Sequence, residues 1–502
     1  MCLKNILIAG LLFSSAAIGQ NKLYTEQYRP QFHFSPATNW CNDPNGLVYH
    51  NGIYHLFYQH NPFGNQWGHM TWAHATSQDL IHWKHQPIAI PEENGIMIFS
   101  GTCIVDKNNT SGFGKDGKTP LVAVYTGHIE NVNQSQHIAY SLDDGNTWTK
   151  YSGNPVLDLH KKDFRDPKIF WYEQQKYWVM ALMFPVEHQV HFYSSPNLKE
   201  WKHLGYFGPA GDTSGVWECP DLTQVPVEGM PGKKKWLLQM SMNGSMQYFV
   251  GEFDGANFSN ENSPAAILRP DDGPDYYAAI CYNQLPAAEQ PVSIGWVNNW
   301  NYANDIPVTP WKGAMSLPRK LSVKKENGHW ILLQQPISES AQMREKKWTP
   351  QPMTISGEKV LPFRGTQFEM TVTLIPGKGN TVCGVKICTG NNEWFEAGYD
   401  AVRQVFYTDR SHCSNNGFSK KFGEMKRFEK KVPLKNNRLQ LHIFADNSIA
   451  EIFVNNGEHV MTTQFFTQQG NNGLVFFSNN GHTAFRDITI WKMRSVWQGI
   501  FN

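Results

Sequence analysis

Three acidic residues lie close to prolines, in contexts that leave the backbone few conformations. Asp43 lies in residues 42–46 (NDPNG), Asp166 in residues 165–167 (RDP) and Glu218 in residues 217–220 (WECP). A proline restricts the residue before it to extended conformations, and Asn-Gly favours a tight turn. The first motif therefore predicts a carboxylate held on a short turn at the start of a strand, as a nucleophile would be presented. Taken alone, each motif is more typical of an ordinary turn.

The neighbours of these acids predict different proton affinities. Arg165 beside Asp166 is expected to keep that carboxylate ionised, whereas the indole of Trp217 and the thiol of Cys219 are expected to raise the pKa of Glu218. Glycoside hydrolysis requires one ionised carboxylate to attack the anomeric carbon and one protonated carboxyl group for the leaving oxygen. The three motifs together, in a Trp-rich chain, favour a glycosidase.

The elements that must position these acids are predicted to be strands. Residues 31–333 contain short strand-like runs separated by Gly, Asn, Asp and Pro, which predicts an all-β array. Segments 77–83, 141–148 and 195–201 each run from Ser through an Asp or Asn turn to Trp. A hairpin repeated at intervals of about 50–65 residues is typical of a β-propeller, and we expect five blades. Equivalent turns of a propeller converge at one end of the central channel, so the three acids are expected to meet there.

The chain is predicted to comprise four segments. Residues 1–19 form a signal peptide, because Lys4 precedes a short apolar run that ends in small residues. Residues 25–336 form the propeller, and residues 337–350 form a polar linker with a short helix as one option. Residues 351–502 alternate apolar and polar positions, which predicts a β-sandwich.

Composition excludes several classes of function. Lys and Arg number 44 and Asp and Glu 43, so the formal charge is +1 and no nucleic-acid partner is expected. No segment resembles a membrane span, so we expect an exported protein, periplasmic or extracellular. The cysteines are scattered and predict buried apolar residues, with Cys383 to Cys388 the one disulfide considered. No metal-binding motif is present, and neither a metal nor a cofactor is expected.

Beyond these patterns, the chain resembles glycoside hydrolase family 32, the family of invertases, inulinases and levanases. The resemblance rests on residues 42–46 (NDPNG), 99–102 (FSGT), 165–167 (RDP), 218–220 (ECP) and 311–319 (WKGAMSLPR). These motifs occur in order along nearly the whole mature chain. The family couples a five-bladed propeller to a C-terminal β-sandwich, as predicted above. The chain departs from the usual family motifs at a few positions, such as Cys41 where Met is commoner, but none of these positions is one of the three acids.

The resemblance implies a role for each acid. Asp43 would be the nucleophile and Glu218 the acid/base of a double displacement with retention. Asp166 would grip fructosyl hydroxyls and stabilise the oxocarbenium-like transition state. The resemblance, together with the aromatic wall beside the first motif, also predicts a substrate pocket. Its expected residues are Trp40, Asn42, Gln59, Trp67, Phe99, Ser100, Arg165, Asp275 and Trp311.

The leading hypothesis is an exo-acting β-fructosidase that releases terminal fructose from fructans such as levan or inulin, with sucrose as a further candidate. Residues 296–311 resemble exo-acting members, in which this segment narrows the pocket. Two alternatives stay open: an endo-acting levanase or inulinase with an open cleft, and a carbohydrate-binding propeller without turnover. The preferred linkage, the oligomeric state and the role of the sandwich are left open as well.

Overall fold

The structure is a computed structural model that describes residues 23–379 and 381–497. The predicted signal peptide lies outside the described residues. Within them the chain is all-β except for a 3₁₀ helix, Ser338–Met343, and a short α-helix α1, Lys420–Glu424. No helix in these two ranges is long and apolar enough to cross a membrane.

Five antiparallel sheets, within the described residues up to Pro336, form the blades of a β-propeller, which confirms the predicted architecture. Each blade adds its strands from the central axis outward. Blade 1 contains β1 (Asn39–His50), β2 (Ile53–Asn61), β3 (Thr71–Ser77) and β4 (Lys84–Ile90), and blade 2 contains β5 (Met97–Val105), β6 (Leu121–Ile129), β7 (Asn133–Ser141), β8 (Thr149–Lys150) and β9 (Leu157–Lys161). Blade 3 contains β10 (Arg165–Tyr172), β11 (Tyr177–Phe184), β12 (Gln189–Ser195) and β13 (Lys202–Phe207). Blade 4 contains β14 (Trp217–Pro226), β15 (Lys234–Met242), β16 (Ser245–Phe253) and β17 (Phe258–Asn260). Blade 5 contains β18 (Tyr277–Cys281), β19 (Val292–Val297), β21 (Ala314–Met315), β22 (Arg319–Glu326) and β23 (His329–Pro336).

The ring closes through the segment that links the second and third long strands of blade 5. Strand β20 (Trp311–Lys312) leaves blade 5 and pairs in parallel with the start of β1 in blade 1. The last blade is therefore hydrogen-bonded to the first, which leaves no free sheet edge at the point where the ring would otherwise open.

The Ser-to-Trp repeat marks the connection to the outermost strand in blades 1, 2 and 3. In each copy the Ser hydroxyl donates to the Asp or Asn that follows it, as Ser77 does to Asp79 at 3.1 Å, and the Trp directly precedes the outer strand. Blade 4 uses the same turn without the Ser: Asp254 accepts from the amides of Ala256 and Asn257, and Phe258 replaces the Trp. The repeat is thus a true blade signature, with its fourth copy hidden by substitution.

The innermost strand of every blade carries a β-bulge at the same end of the ring. The pairing register shifts between Cys41 and Pro44, Ile98 and Gly101, Arg165 and Lys168, Glu218 and Asp221, and Tyr277 and Ile280. Bulges redirect side chains next to active sites. Three of the five bulges contain proline, which a bulge tolerates because no ladder hydrogen bond is needed there.

The predicted turn at residues 42–46 is therefore part of a strand, and this corrects the sequence interpretation. β1 runs unbroken from Asn39 to His50 and absorbs the motif as two bulges. Gly46 is required in the second bulge, because its φ is +54° and an added Cβ would lie 2.7 Å from the ring of Phe57. A hairpin follows it, with Asn51 and Gly52 as the two-residue turn.

The C-terminal domain is a two-layered β-sandwich joined to the propeller by the 3₁₀ helix. Its strands are β24 (Arg344–Trp348), β25 (Met353–Arg364), β26 (Gln367–Pro376), β27 (Val382–Gly390), β28 (Glu393–Asp400), β29 (Val405–Asp409), β30 (Arg427–Lys431), β31 (Leu439–Asp446), β32 (Ile449–Val454), β33 (His459–Gln464) and β34 (Gly473–Met493). The long strand β34 serves both layers, pairing with β27 through its first half and with β26 through its second. Apolar side chains from both layers form one core.

The cysteines contribute to these cores as apolar residues. All seven cysteines of the described ranges are free and buried, including Cys383 and Cys388, which were considered as a pair. The domain interface is also apolar in part: Phe444 and Phe453 of the sandwich share a cluster with Phe34 and Met315 of the propeller side.

Candidate active site

A cavity of about 410 Å³ opens at the bulged end of the propeller axis. This volume is in the range of small-molecule sites. The three acids predicted to meet all line it, together with amide, aromatic and basic side chains. The lining residues are Asn42, Asp43, Gln59, Trp67, Phe99, Ser100, His128, Gln134, Asp163, Arg165, Asp166, Glu218 and Trp300.

Asp43 is held by donors on both carboxylate oxygens. Oδ1 accepts from the amide of Asn42 at 2.9 Å, and Oδ2 accepts from the hydroxyl of Ser100 at 2.8 Å. The amide of Asn42 is oriented in turn by the indole of Trp40, which donates to Asn42 Oδ1 at 2.7 Å. Only 8 % of Asp43 is exposed, so this carboxylate has one orientation, facing the cavity.

Asp166 lies next to Asp43, and the thiol of Cys219 lies between them. Cys219 Sγ is 3.4 Å from Asp43 Oδ2 and 3.7 Å from Asp166 Oδ2, while the backbone amide of Cys219 donates to Asp166 Oδ2 at 2.9 Å. Both Asp166 and Cys219 have positive φ, 65° and 49°, because they are the bulged residues of β10 and β14. The bulges of β10 and β14 therefore bring Asp166 and Cys219, from neighbouring blades, together beside Asp43 of blade 1.

Glu218 is the most accessible of the three acids, with a side chain 25 % exposed. Its Oε1 accepts from the Arg165 guanidinium at 3.0 Å, and its Oε2 accepts from the hydroxyl of Tyr277 in blade 5. The indole of Trp217 points away, into the core shared by blades 3 and 4. The apolar surroundings expected for Glu218 from its neighbours in sequence are therefore not what the structure shows.

Burial dominates the electrostatics of the two aspartates. It raises the pKa of Asp43 above its ordinary value; the charge of Glu218 adds to the rise, and hydrogen bonds from Asn42 and Ser100 oppose it. Burial likewise raises the pKa of Asp166 to about 7, although the Arg165 guanidinium works in the opposite direction. Contrary to the expectation from the sequence, Arg165 does not outweigh the burial of Asp166, because its Nε is 3.9 Å away and its Nη2 is bonded to Glu218.

Aromatic side chains form the walls of the cavity. Trp67 is 41 % exposed and contacts the ring of Phe99 edge-on, and Phe99 stacks on His128 with ring centroids 4.3 Å apart. Trp300, which also lines the cavity, is 36 % exposed and packs on Trp40 and Trp296. Exposed aromatic faces around converging polar groups are what sugar recognition uses.

Three of the residues predicted to bind substrate lie outside this lining. Trp40 is fully buried behind Trp300 and acts on Asn42 instead. Trp311 is buried with the Arg29 guanidinium 4.4 Å above its ring, in the apolar cluster beneath the sandwich. Asp275 is buried at the domain interface, where it is bonded to Arg410. The other six predicted residues, Asn42, Gln59, Trp67, Phe99, Ser100 and Arg165, do line the cavity.

The structure also adds residues that the sequence did not single out. His128, Gln134 and Asp163 complete the lining from blades 2 and 3, and Tyr277 reaches Glu218 from blade 5. Tyr277 directly precedes the bulge of β18, as Glu218 does in β14. This equivalence becomes visible only when the bulges are known, so no sequence signal singles out Tyr277. Trp300 lies within residues 296–311, the segment that resembles exo-acting members, but the sequence does not single it out as a site residue.

A cavity with several carboxylates, one guanidinium and aromatic walls at the end of a propeller axis defines the class of glycoside hydrolases. Among the described residues, no group of three or more His, Cys, Asp or Glu side chains is arranged so that it could hold a metal ion.

Comparison with known proteins supports that class. The model of the N-terminal domain of glycosyl hydrolases family 32 matches residues 33–336, and the model of its C-terminal domain matches residues 338–492. The chain is 43 % identical to a levanase of Bacillus subtilis over 96 % of this chain and 73 % of the levanase. It is 38 % identical to an extracellular exo-inulinase of Aspergillus niger, over 94 % of this chain and 96 % of the relative.

A solved structure gives the same result. The exo-inulinase of Aspergillus awamori superposes with a TM-score of 0.88 at 36 % identity, covering 94 % of this chain and all of the other. The chain belongs to glycosyl hydrolase family 32.

Proposed function

We propose that this protein is an exo-acting β-fructosidase that hydrolyses terminal β-fructofuranosyl residues from fructans, with sucrose as a further substrate. The observation that carries the proposal is the convergence of Asp43, Asp166 and Glu218 on one aromatic-walled cavity. The similarity to a levanase and to exo-inulinases supports fructosyl residues as the sugar.

In the proposed reaction, the Asp43 carboxylate attacks the anomeric carbon and Glu218 donates its proton to the leaving oxygen. The bond from the anomeric carbon to that oxygen breaks, and a fructosyl ester of Asp43 forms. Glu218 then removes a proton from water, which attacks the ester and releases fructose with retained configuration. Ser100 and Asn42 hold the Asp43 carboxylate in place during both steps.

Asp166 and Gln59 suit the binding of the fructosyl hydroxyl groups. Asp166 is 6 % exposed and lies beside Asp43, where a carboxylate would stabilise developing positive charge on the sugar ring. Gln59 is buried in the cavity wall, and its Nε2 has no hydrogen-bond partner among the described residues. That amide is a donor available to a sugar hydroxyl, and a buried polar group of this kind favours a ligand that satisfies it.

The way in which the two aromatic walls are joined supports exo action. Trp67 lies in the loop between β2 and β3, and Trp300 lies in the loop between β19 and β20. Asn304 of the second loop accepts from the backbone amide of Trp67 at 3.0 Å and from the side chain of Gln66 at 3.1 Å. The joined loops close the cavity on this side, so we infer that a chain end enters and a continuous chain does not pass through.

Product analysis on levan and inulin tests the proposal. We expect fructose as the sole early product, whereas a ladder of oligosaccharides would mean endo action. Absence of any product, with retained binding of inulin, would leave a carbohydrate-binding propeller. Proton NMR of the first released sugar tests retention, because it reports the anomer before mutarotation.

We also infer that the protein is exported. The signal peptide predicted for residues 1–19 supports this inference, as do relatives described as extracellular. Fractionation of the producing cells, with detection of fructose release in the medium and in the periplasm, would separate the two compartments. Activity confined to the cytoplasm would contradict export.

A further inference from the structure

One arginine of the sandwich is inserted beneath the cavity wall. Arg410 is fully buried, and its guanidinium stacks on the ring of Phe422 at 3.6 Å. It donates to the backbone oxygens of Met425 at 2.8 Å and Gln464 at 3.0 Å, which fix it within the sandwich. Its remaining bonds cross to the propeller.

The first of these bonds reaches the loop that carries Trp300. Arg410 Nη2 donates to the hydroxyl of Tyr302 at 3.2 Å, and that hydroxyl donates to Asp275. Tyr302 is buried, packs edge-on against Phe422 and is separated from Trp300 by a single residue. The exposed face of Trp300 in the cavity is therefore anchored from below by groups of the other domain.

The second bond reaches Asp275, just before strand β18, and β18 carries the tyrosine that is bonded to Glu218. Arg410 Nη1 is 3.3 Å from Asp275 Oδ2, and the same oxygen accepts from the backbone amide of Gln464 at 2.7 Å. Asp275 lies two residues before Tyr277, whose hydroxyl is bonded to Glu218. Asp275 was expected in the pocket; the structure instead assigns its charge to the domain interface.

We propose that Arg410, Asp275 and Tyr302 are positioning residues through which the sandwich sets the cavity wall at Trp300, and so makes the enzyme select chain ends. Buried ion pairs contribute little net stability but fix one arrangement of the groups they join. This inference rests on the proposed function, because chain-end selectivity has meaning only for an enzyme that hydrolyses fructans. It assigns the sandwich a part in specificity.

Tyr302→Phe is the central test, since it removes one hydroxyl and keeps the ring on Phe422. On a fructan trisaccharide we expect KM to rise about tenfold, the effect of losing one hydrogen bond to a charged group, with kcat within about twofold. On inulin, oligosaccharides should appear beside fructose because the wall is no longer fixed. Arg410→Lys, which loses the planar fork, should shift KM and the products in the same direction.

A double-mutant cycle shows whether Tyr302 acts through Trp300. Trp300→Ala alone should raise KM, and adding Tyr302→Phe to it should change KM no further. Additive effects would overturn the proposal. So would a Tyr302→Phe variant with normal KM and products and only a lower melting temperature.

Glu458→Gln is the matched control at the same interface. Glu458 of the sandwich is bonded to Lys324 of blade 5 and to Lys435, so its loss weakens the contact between the domains at another place. We expect a lower melting temperature with unchanged KM and products; a product ladder from this variant would show that any weakening of the interface suffices, and would overturn the specific role. If the unaltered enzyme releases no fructose, the proposed function fails first, independently of these variants.

Discussion

The cavity and the domain interface each bring several carboxylates together, with different partners. In the cavity, the Arg165 guanidinium is bonded to Glu218 and lies 3.9 Å from Asp166, while Asp43 is bonded to the neutral side chains of Asn42 and Ser100. Part of the surface of these three acids faces the open cavity. Burial raises the pKa of Asp43 and Asp166, so their charge is stabilised only partly by the protein.

At the interface, Asp271, Asp446 and Glu451 are shared by Arg319 and His33. Arg319 is bonded to Asp271 at 3.0 Å and to Glu451 at 2.5 Å, and His33 is bonded to Asp446 at 2.8 Å and to Glu451 at 2.9 Å. Burial alone would raise the pKa of Glu451, yet Arg319 and His33 outweigh it and lower that pKa. Asp271 belongs to the same cluster, but burial raises its pKa to about 6 although Arg319 and Thr462 oppose the rise.

The difference shows how the same residue types serve two purposes. At the interface, fixed donors from both domains occupy the carboxylate oxygens, so the charges are satisfied before any ligand arrives. In the cavity, the acids outnumber their cationic partner and face a space that a sugar can fill. Incomplete satisfaction of buried charge is typical of a reactive site.

The difference between the cavity and the interface is tested most directly by making the same substitution, Asp to Asn, in both regions. Asp43→Asn should lower kcat on inulin by about 10⁴-fold or more, because the nucleophile is lost while the shape is kept. Its stability to urea should be equal to or above that of the unaltered enzyme, since a poorly satisfied charge is removed. Inulin should still bind.

Asp271→Asn is the counterpart at the interface. The variant should keep kcat and lose about 1.5–3 kcal/mol of unfolding free energy, because charge-assisted bonds to Arg319 and Thr462 are weakened. If Asp43→Asn kept a tenth of the activity, or Asp271→Asn lost activity at unchanged stability, the assignment of the two regions would be reversed.

How far the sequence predicts the site can be judged from particular residues. Alternating polarity and the Ser-to-Trp repeat predict the blades, and the blades predict that Asp43, Asp166 and Glu218 meet. These features are local, or repeat locally, and so are visible in the text of the chain. Bulges are less visible: residues 42–46 read as a turn because Asp-Pro and Asn-Gly are turn signals, yet neighbouring strands hold them in β1.

Such patterns do not show in which direction a side chain points or which residues from other blades contact it. Trp40, Trp311 and Asp275 belong to motifs next to the cavity, but the structure turns them toward the core or the other domain. The surroundings of Glu218 come from Arg165 and Tyr277, which lie in other blades. No reading of residues 217–220 alone contains that information.

The dependence of stability on pH sharpens the comparison, because the interface should dominate it above neutrality. Burial alone would lower the pKa of His33, but its bonds to Asp446 and Glu451 raise it to about 9 in the folded state. A raised histidine pKa gives stability that is complete below the unfolded value near 6.5 and is lost as pH rises through about 9. His33 should therefore make unfolding easier by about 3 kcal/mol between pH 6.5 and 9.

Urea titrations at pH 6.5, 7.5 and 9 check this prediction. In His33→Gln the decline across this range should flatten relative to the unaltered protein. Asp166→Asn serves as the control: the pKa of Asp166 is about 7, so its effect on stability develops between about pH 4 and 7 and the decline above pH 7 should persist. An identical slope in His33→Gln would show that the interface does not hold a charged histidine.

A smaller effect is expected from Tyr277, which connects the cavity to the blade next to the interface. Tyr277→Phe removes the hydroxyl bonded to Glu218 but keeps the ring against Trp296 and Trp300. Loss of a hydrogen bond to a charged group should lower kcat by about tenfold to a hundredfold, with little change in KM. Steady-state kinetics on a fructan trisaccharide would measure both. A change in KM alone would place Tyr277 in substrate binding and would remove it from the support of Glu218.

The smallest effect is expected from Asp163, the most exposed carboxylate of the cavity lining. Asp163 is bonded to Arg165 at 2.7 Å, but its side chain is 43 % exposed. Exposed ion pairs contribute less than about 1 kcal/mol, so Asp163→Asn should change kcat/KM less than about fivefold, and less still in high salt. Arg165 keeps its bond to Glu218 in this variant, so its position is preserved. A hundredfold loss of kcat/KM would mean that solvent exposure does not distinguish catalytic acids from the others. Asp163 would then belong with Asp43, Asp166 and Glu218.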